Sequence, residues 1–293
     1  ASRDTLTGTK SWTINDSGVD SDCIAPTVTN VSSTMTDGAY TIGQSIPITV
    51  TFSEVVDVTE TPTLTLETGE SDAVVNYSFG TGSNTLTFNY TVAAGHNSSN
   101  LDYLDTSALV LNSGTIKDAA TNDATLTLVS PGNANSLGAN KTLVIDTTIP
   151  EITLAGIATV DIEVGSTYTD AGAAATDNYD NDTALSANII TVNNVDTDVV
   201  ASYTLTYNVS DASNNAATEV TRTVNVVDTT VPVITLTSDE IITIEVGSTY
   251  ADAGAAATDN YDNDTALSAN IITVNNVDTD VVASYTLTYN VSD

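Results

Sequence analysis

Residues 162–211 have the sequence IEVGSTYTDAGAAATDNYDNDTALSANIITVNNVDTDVVASYTLTYNVSD. The same sequence returns 82 positions later, as residues 244–293, with Ala251 in place of Thr169. Near the end of each copy, Tyr, Leu, Tyr and Val alternate with Thr and Asn, a period-two pattern typical of a β-strand with one wet face. The repetition predicts two copies of one β-domain joined in series.

The two copies differ at their C-terminal ends. The first copy continues into EVTRTVNVVD, residues 219–228, whose Val220, Val224 and Val226 fall on one side of a strand. The second copy ends at Asp293. We therefore expect the last domain to lack its final strand, which leaves unpaired backbone groups beside an open apolar groove.

The N-terminal segment contains a candidate for the missing strand. Residues 9–16, TKSWTIND, match residues 221–228, TRTVNVVD, in the character of most positions, with Lys10 at the place of Arg222. Strand addition from a neighbouring molecule would build an open head-to-tail homopolymer. The alternative is that the chain is a segment of a longer array and is flanked by further immunoglobulin-like repeats. The residues assigned to the polymerisation strand are Leu6, Lys10, Trp12 and Ile14.

The composition restricts the possible partners. Five Lys and Arg against 38 Asp and Glu give a net charge of −33, which argues against nucleic acid and anionic membranes. Hydrophobic residues make up 41% of the chain and occur in alternating runs, which favours a folded core over disorder. No apolar run approaches the roughly 20 residues of a membrane span, so membrane insertion is not expected. So much negative charge indicates a saline medium, bound cations, or both.

The domain organisation follows from strand and junction patterns. Four strands are predicted between residues 26 and 146, at 46–52, 63–66, 73–77 and 85–92, separated by turn-forming residues. The junctions VIDTTIP (144–150) and VVDTTVP (226–232) are nearly alike, and their β-branched residues and proline predict stiff, extended connections. The fold class is therefore all-β, with tandem antiparallel β-sandwiches in a rod. The predicted boundaries are 1–25 for an N-terminal strand and linker, 26–146, 147–228, and 229–293 for the incomplete copy.

These motifs resemble a known family. The IEVGSTY, DAGA and ATDNYDND motifs followed by YTLTYNVSDASNNA resemble the immunoglobulin-like, hyalin-type repeats of prokaryotic surface proteins. Residues 26–146, with ITVTFSE and IKDAATND, are similar to another immunoglobulin-like repeat of bacterial adhesins. The resemblance implies extracellular stalks, adhesins and fibres at the cell surface, often stiffened by calcium. Asn214 and Asn215 stand where such repeats often carry a Gly-Asn turn.

The acidic loop of the repeat is the strongest candidate for a metal site. Clustered Asp and Asn side chains supply the hard oxygen ligands that Ca²⁺ prefers, although the EF-hand pattern is absent. The alternative is that these residues only form turns through local backbone bonds. Asp118 and Asp211, in similar turns, are further candidates to join such sites or to cap the turns. The predicted ligands are Asp146, Asp170, Asp177, Asp180, Asp182, Asp228, Asp252, Asp259, Asp262 and Asp264.

Enzyme chemistry is poorly supported by the sequence. His96 is the only histidine and Cys23 the only cysteine, so neither a zinc cluster nor an internal disulfide can form. Acid pairs for glycoside hydrolysis stay compatible with the composition, but repetition of one loop favours a structural role. The hypothesis is thus a non-enzymatic, secreted subunit of a cell-surface filament or stalk. The alternative is an adhesin segment that spaces or presents a module for cell-surface glycans.

Overall fold

The computed structural model describes residues 24–293, which form two compact units. The first unit contains residues up to 150 together with 177–181 and 210–216, and the second contains 151–176, 182–209 and 217–293. Two loops of the first repeat therefore belong to the first unit. The predicted polymerisation strand and Cys23 lie outside the described residues. The three sequence-based domain boundaries stay a prediction.

The first unit is built on one large sheet. Its strands lie in the order β1-β3-β6-β5-β4-β7, with β8 paired to β4, β9 paired to β3, and β10 parallel to β2 in a separate ladder. The elements are β1 (Val28–Ser33), β2 (Gly38–Tyr40), β3 (Ser45–Thr59), β4 (Thr63–Glu67), β5 (Ala73–Phe79), β6 (Ser83–Thr91), β7 (Asp102–Tyr103), β8 (Leu109–Val110), β9 (Thr115–Lys117), the short helix α1 (Leu137–Asn140) and β10 (Leu143–Ile145).

Alternation on the long central strands builds the core of this unit. Ile48 and Val50 of β3 pair with Phe88 and Leu86 of β6 in antiparallel register, and all four side chains are buried. The intervening threonines face the other side of the pleat. The four strands predicted for this region are therefore confirmed.

The first repeat forms two ladders in the second unit. One has the strand order β12-β16-β15-β14 and the other pairs β11 with β13. Leu205, Tyr207 and Val224 are fully buried between them, as the alternation predicted. The elements are β11 (Glu151–Leu154), β12 (Thr159–Glu163), β13 (Ala173–Thr176), α2 (Asp182–Ala187), β14 (Ile190–Val192), β15 (Ala201–Asn208) and β16 (Val220–Val227).

The second repeat is a reduced version of the first. It retains β17 (Val233–Leu236) paired with β18 (Ala255–Thr258), α3 (Asp264–Ala269), and β19 (Ile272–Val274) paired with β20 (Thr288–Asn290). Residues 241–245, which correspond to β12, form no strand, and only the end of the β15 counterpart does. The reason is physical: β16 lies between β12 and β15 and supplies hydrogen bonds to both. Within residues 229–293, no strand takes the place of β16.

The helices were not anticipated from the strand periodicity. The α2 and α3 segments begin at Asp182 and Asp264, and Asn263 caps α3 by accepting a hydrogen bond from the Ala266 amide. A carboxylate in the first turn is favoured by the helix dipole. No described helix has the length and apolarity needed to cross a bilayer.

Candidate metal centre

Four aspartates from separate parts of the sequence meet in the first unit. Asp146 follows β10, Asp177 and Asp180 lie in the loop after β13, and Asp211 follows β15. One carboxylate oxygen from each lies within 4.8 Å of the others. We call Asp146, Asp177, Asp180 and Asp211 the acidic quartet. The quartet brings together the junction residue, the acidic loop and the turn after β15, which the sequence analysis treated as separate candidates.

Asp146 is the most buried member, with 1% of its surface exposed. Its Oδ1 accepts a hydrogen bond from the Thr148 amide at 3.1 Å and its Oδ2 accepts one from Ser213 Oγ at 2.9 Å. Burial raises the pKa of Asp146 above its ordinary value, and the charges of Asp177 and Asp211 raise it further. The carboxylate therefore lies where a positive charge would be strongly favoured.

The acidic loop is held by its own backbone. Asp177 Oδ2 accepts hydrogen bonds from the amides of Tyr179 at 2.9 Å and Asp180 at 3.3 Å. Asp180 Oδ2 accepts a bond from the Ala212 amide at 3.2 Å, which joins the loop to the turn after β15. These bonds orient the two carboxylates towards the same point as Asp146.

Asp211 begins a tight turn that closes on Asn215. Its carboxylate accepts hydrogen bonds from the Asn215 amide at 2.7 Å and from Asn215 Nδ2 at 2.8 Å. Asn215 Nδ2 also donates to the main-chain oxygen of Asp146 at 3.1 Å. Asn214 has φ 67°, the left-handed conformation that a glycine would adopt there. The Asn-Asn pair thus supplies a residue in the left-handed conformation, as a glycine would at that position.

A matching turn elsewhere shows that turn formation alone does not create the quartet. Asp118 accepts hydrogen bonds from the Asn122 amide at 2.8 Å and from Asn122 Nδ2 at 2.7 Å. Thr121 there has φ 74°. Asp118 is not a member of the quartet. The turn-forming alternative therefore accounts for Asp118, whereas Asp211 both forms a turn and joins the cluster.

The lysines and the arginine of residues 24–293 all have partners outside the quartet. Lys117 pairs with Asp123 at 2.8 Å, Lys141 donates to the Met35 carbonyl at 2.7 Å, and Arg222 binds Asp170. These are all the lysines and arginines in that part of the chain. Four close carboxylates repel one another, so a cation from solvent would stabilise the arrangement.

The donor set fits calcium. Ca²⁺ takes about six to eight oxygen ligands in flexible geometry, which carboxylates can supply in monodentate or bidentate fashion. The quartet offers only oxygen, whereas zinc sites favour nitrogen and sulfur. The chemistry that such an ion supplies is neutralisation and cross-linking of the three segments.

The second repeat carries the same residues again. Asp228, Asp259, Asp262 and Asp293 lie at the same 82-residue offset from the quartet members. Asp228 Oδ1 and Asp259 Oδ1 are buried without a hydrogen-bond partner among the described residues. Burial raises the pKa of Asp228, and the charges of Asp259, Glu163 and Asp293 add to the effect. Buried carboxylate oxygens that receive no hydrogen bond are well suited to bind a cation.

The other predicted ligands lie elsewhere. Asp170 accepts from Arg222 and from the Tyr207 hydroxyl, the latter at 2.7 Å. Asp252, its counterpart, accepts a hydrogen bond from the Tyr289 hydroxyl at 2.6 Å, and this bond, together with burial and the Asp252 charge, raises the pKa of Tyr289 to about 12. Asp182 and Asp264 open the two helices. The structure thus brings together Asp146, Asp177 and Asp180 of the predicted set, adds Asp211, and separates Asp170.

Arg222 is the residue that sequence reasoning missed. It is 1% exposed and also donates to the carbonyls of Ile157 at 3.2 Å and Gly172 at 3.3 Å. Its position gives it the same parity as Val224 and Val226, which are buried. This strand position could have predicted a buried partner for Arg222, because an arginine on the apolar face of a strand requires a buried hydrogen-bond acceptor.

The comparisons with known proteins agree with this architecture. Residues 152–226 and 234–293 match the family model for the bacterial surface protein, Ig-like domain. The two matches correspond to the two copies described above. No curated protein shows significant similarity to the chain. Residues 152–226 and 234–293 therefore each carry the sequence pattern of a bacterial surface protein Ig-like domain, and the all-β fold of the described residues agrees with it.

Proposed function

We propose that the chain is a non-enzymatic structural segment of an extracellular stalk or filament, in which Ca²⁺ binds the acidic quartet. The observation that carries this proposal is the meeting of one carboxylate oxygen each from Asp146, Asp177, Asp180 and Asp211 within 4.8 Å. A cation there fixes the junction residue after β10 to the acidic loop and to the turn after β15. Without it, mutual repulsion of the carboxylates loosens those loops.

Repetition supports a structural role for the site. The same ligand types recur as Asp228, Asp259, Asp262 and Asp293, again with a junction residue as the first member. One ion at each junction would order successive repeats in the same way. Calcium concentrations outside cells are high enough to fill sites of modest affinity, with Kd values of about 10⁻⁴–10⁻³ M.

Assembly completes the proposal. Residues 229–293 contain no strand at the place of β16, and residues 9–16 match β16 in sequence. Donation of this N-terminal strand to the second repeat of a neighbouring molecule joins copies head to tail. The partner is thus another copy of the same chain.

Calcium binding is tested by thermal unfolding and calorimetric titration of the full chain with Ca²⁺. We expect a calcium-dependent rise in Tm in the parent chain, because a ligand that binds only the folded state stabilises it. The variant Asp146→Asn/Asp177→Asn should lose the part of that rise that belongs to the quartet. Asp118→Asn is the matched control, since it alters the same kind of turn outside the quartet. An equal response of all three chains would overturn calcium binding there.

Assembly is tested by electron microscopy of the full chain and of a Trp12→Asp/Ile14→Asp variant in calcium. Filaments that form only from the parent chain support strand donation. Single particles from both proteins would contradict it and leave a stalk segment whose neighbours are other domains.

A further inference from the structure

Strand β14 lies at one edge of the four-stranded sheet of the first repeat and is open to solvent. Among the described residues it has one strand neighbour, β15, with which it pairs in antiparallel register. All three of its residues are exposed, with Ile190 at 67% and Val192 at 56%. Such an edge presents main-chain amides and carbonyls that a further strand can bind.

The second repeat carries the same edge. There β19 pairs with β20, its three residues are exposed, and Ile272 and Val274 have 67% and 55% of their surface exposed. These values match those of Ile190 and Val192, although the first repeat contains strands β12 and β16 that have no equivalent in the second. The open edge is therefore a property of the repeated sequence itself, and each chain presents it twice.

Other sheet edges in the described part of the chain are protected in ways that β14 is not. The edge of β1 is covered by the segment around α1: the Val31 amide donates to the Asn135 carbonyl at 2.9 Å, and Asn140 Nδ2 donates to the Val31 carbonyl at 2.7 Å. Strand β12, at the opposite edge from β14, carries the carboxylates of Asp161 and Glu163. Covering segments and charged side chains are common means of keeping sheet edges from pairing.

The sequence around β14 carries no charge. Residues 183–195 and their copy, 265–277, contain no Asp, Glu, Lys or Arg, within a chain whose net charge is −33. Two copies of so acidic a chain repel one another wherever their carboxylates approach. A neutral edge with exposed β-branched side chains is therefore the surface at which two copies meet with the least repulsion.

We propose that the β14 edge, and the equivalent β19 edge, bind the same edge of a second copy of the chain, so that neighbouring molecules associate side by side. In antiparallel pairing about a two-fold axis, Thr191 lies opposite Thr191 of the second copy, and Ile190 lies opposite Val192 of the second copy. The two Ile-Val pairs then share one face of a continuous sheet, and cross-strand pairs of this kind stabilise strand association.

The contact differs from head-to-tail strand donation because the same surface is used on both molecules. It requires neither residues 9–16 nor Ca²⁺, so it stands independently of the function proposed above. Each edge is three residues long and binds weakly by itself, and its presence in both repeats gives each chain two points of attachment. Because the contact brings acidic chains together, it should strengthen as salt screens their repulsion.

The first test is sedimentation velocity of the full chain over a range of protein and NaCl concentrations, with Trp12→Asp/Ile14→Asp present throughout to disable strand donation. We expect reversible self-association that strengthens as the salt concentration is raised. Adding Val192→Glu/Val274→Glu should weaken it at least about tenfold, because a carboxylate then lies against an apolar side chain of the second copy.

The matched control is Thr204→Glu/Thr286→Glu, which adds the same charge at exposed positions of β15 and of its counterpart, away from the edge. It should leave the association close to that of the parent. Circular dichroism and Tm establish that both variants are folded. A parent chain that stays monomeric at every salt concentration would overturn the edge contact, and so would an equal loss of association in the two variants. Neither result would touch the calcium site or strand donation.

Disulfide cross-linking tests the register. In the same background with Cys23→Ser, we expect Thr191→Cys/Thr273→Cys to form covalent dimers on mild oxidation, because directly opposite residues of an antiparallel pair have Cβ atoms about 4.5–5.5 Å apart. Thr204→Cys/Thr286→Cys should remain monomeric under the same conditions. Equal cross-linking of the two variants, or none in either, would contradict pairing of the β14 and β19 edges.

Discussion

Arg222 donates to the carboxylate of Asp170 from a side chain that is 1% exposed, so the first repeat keeps an ion pair inside its sandwich. Tyr207 belongs to the same network, with its ring 5.7 Å from the guanidinium carbon. Burial alone would raise the pKa of Asp170, but hydrogen bonds from Tyr207 and Gly172 and the Arg222 charge hold it below its ordinary value. The carboxylate is therefore ionised and structural, and it lies outside the acidic quartet.

Removal of the arginine should be costly. Arg222→Met leaves the Asp170 carboxylate buried without its cation, and we expect the free energy of unfolding of the first repeat to fall by about 3 kcal/mol. The double variant Arg222→Met/Asp170→Asn should recover part of that loss, since no charge is then left unpaired. Urea denaturation in saturating calcium measures both. Equal stability of the parent and Arg222→Met would contradict the structural role of the pair.

Calcium should act on the quartet and not on this ion pair. We expect Asp180→Asn to weaken calcium binding to the first repeat about tenfold or more, since one of four charged ligands becomes neutral. Asp170→Asn should leave calcium affinity unchanged while lowering stability. Isothermal titration with each variant gives the comparison. If Asp170→Asn lowered the calcium affinity as much as Asp180→Asn does, Asp170 would have to be counted as a calcium ligand.

Glu163 should make the second junction sensitive to acid. Its carboxylate accepts hydrogen bonds from the side chains and amides of Thr229 and Thr230 and from Asn260 Nδ2. The Thr229 and Thr230 hydroxyls, followed by the Thr229 amide and Asn260, lower its pKa from 4.5 to about 2. Because the folded-state pKa is the lower one, the stabilisation is present above about pH 4.5 and is lost as the pH falls towards 2.

The matched variant for this effect is Glu163→Gln. The difference in free energy of unfolding between the parent and Glu163→Gln should be constant near neutral pH and shrink between pH 4.5 and 2. Measurements in a calcium chelator keep metal binding out of the comparison. A difference that does not change with pH would show that the Glu163 charge does not anchor the Thr-Thr junction.

The two Asp-to-Asn turns should respond differently to glycine. Thr121 has φ 74° and Asn214 has φ 67°, and a β-branched residue tolerates this conformation far less well than asparagine. We expect Thr121→Gly to raise the free energy of unfolding of the first unit by about 1 kcal/mol. Asn214→Gly should change stability by only a few tenths of a kcal/mol. Chemical denaturation that ranks the two in the opposite order would contradict the strain at Thr121.

The sequence by itself determined the β-class, the strand positions and the repeat. Alternation over Ile48 and Val50 assigned buried positions in β3, because successive side chains on a strand point to opposite faces. The repeat at an offset of 82 residues predicted a second copy of the same domain. These features are local or repetitive, so one-dimensional patterns carry them.

Only the tertiary structure decided which acids act together. Asp170 and Asp177 are seven positions apart in one acidic stretch. Asp170 forms an ion pair with Arg222. The carboxylate of Asp177, in contrast, lies close to those of Asp146 and Asp211, which come from distant segments. Sequence proximity could not separate them, because every acid in the stretch has similar chemistry and the partners come from strands far along the chain. Burial of Arg222 on the apolar face of β16 and convergence of three loops made the distinction, and both depend on the packing of the whole sandwich.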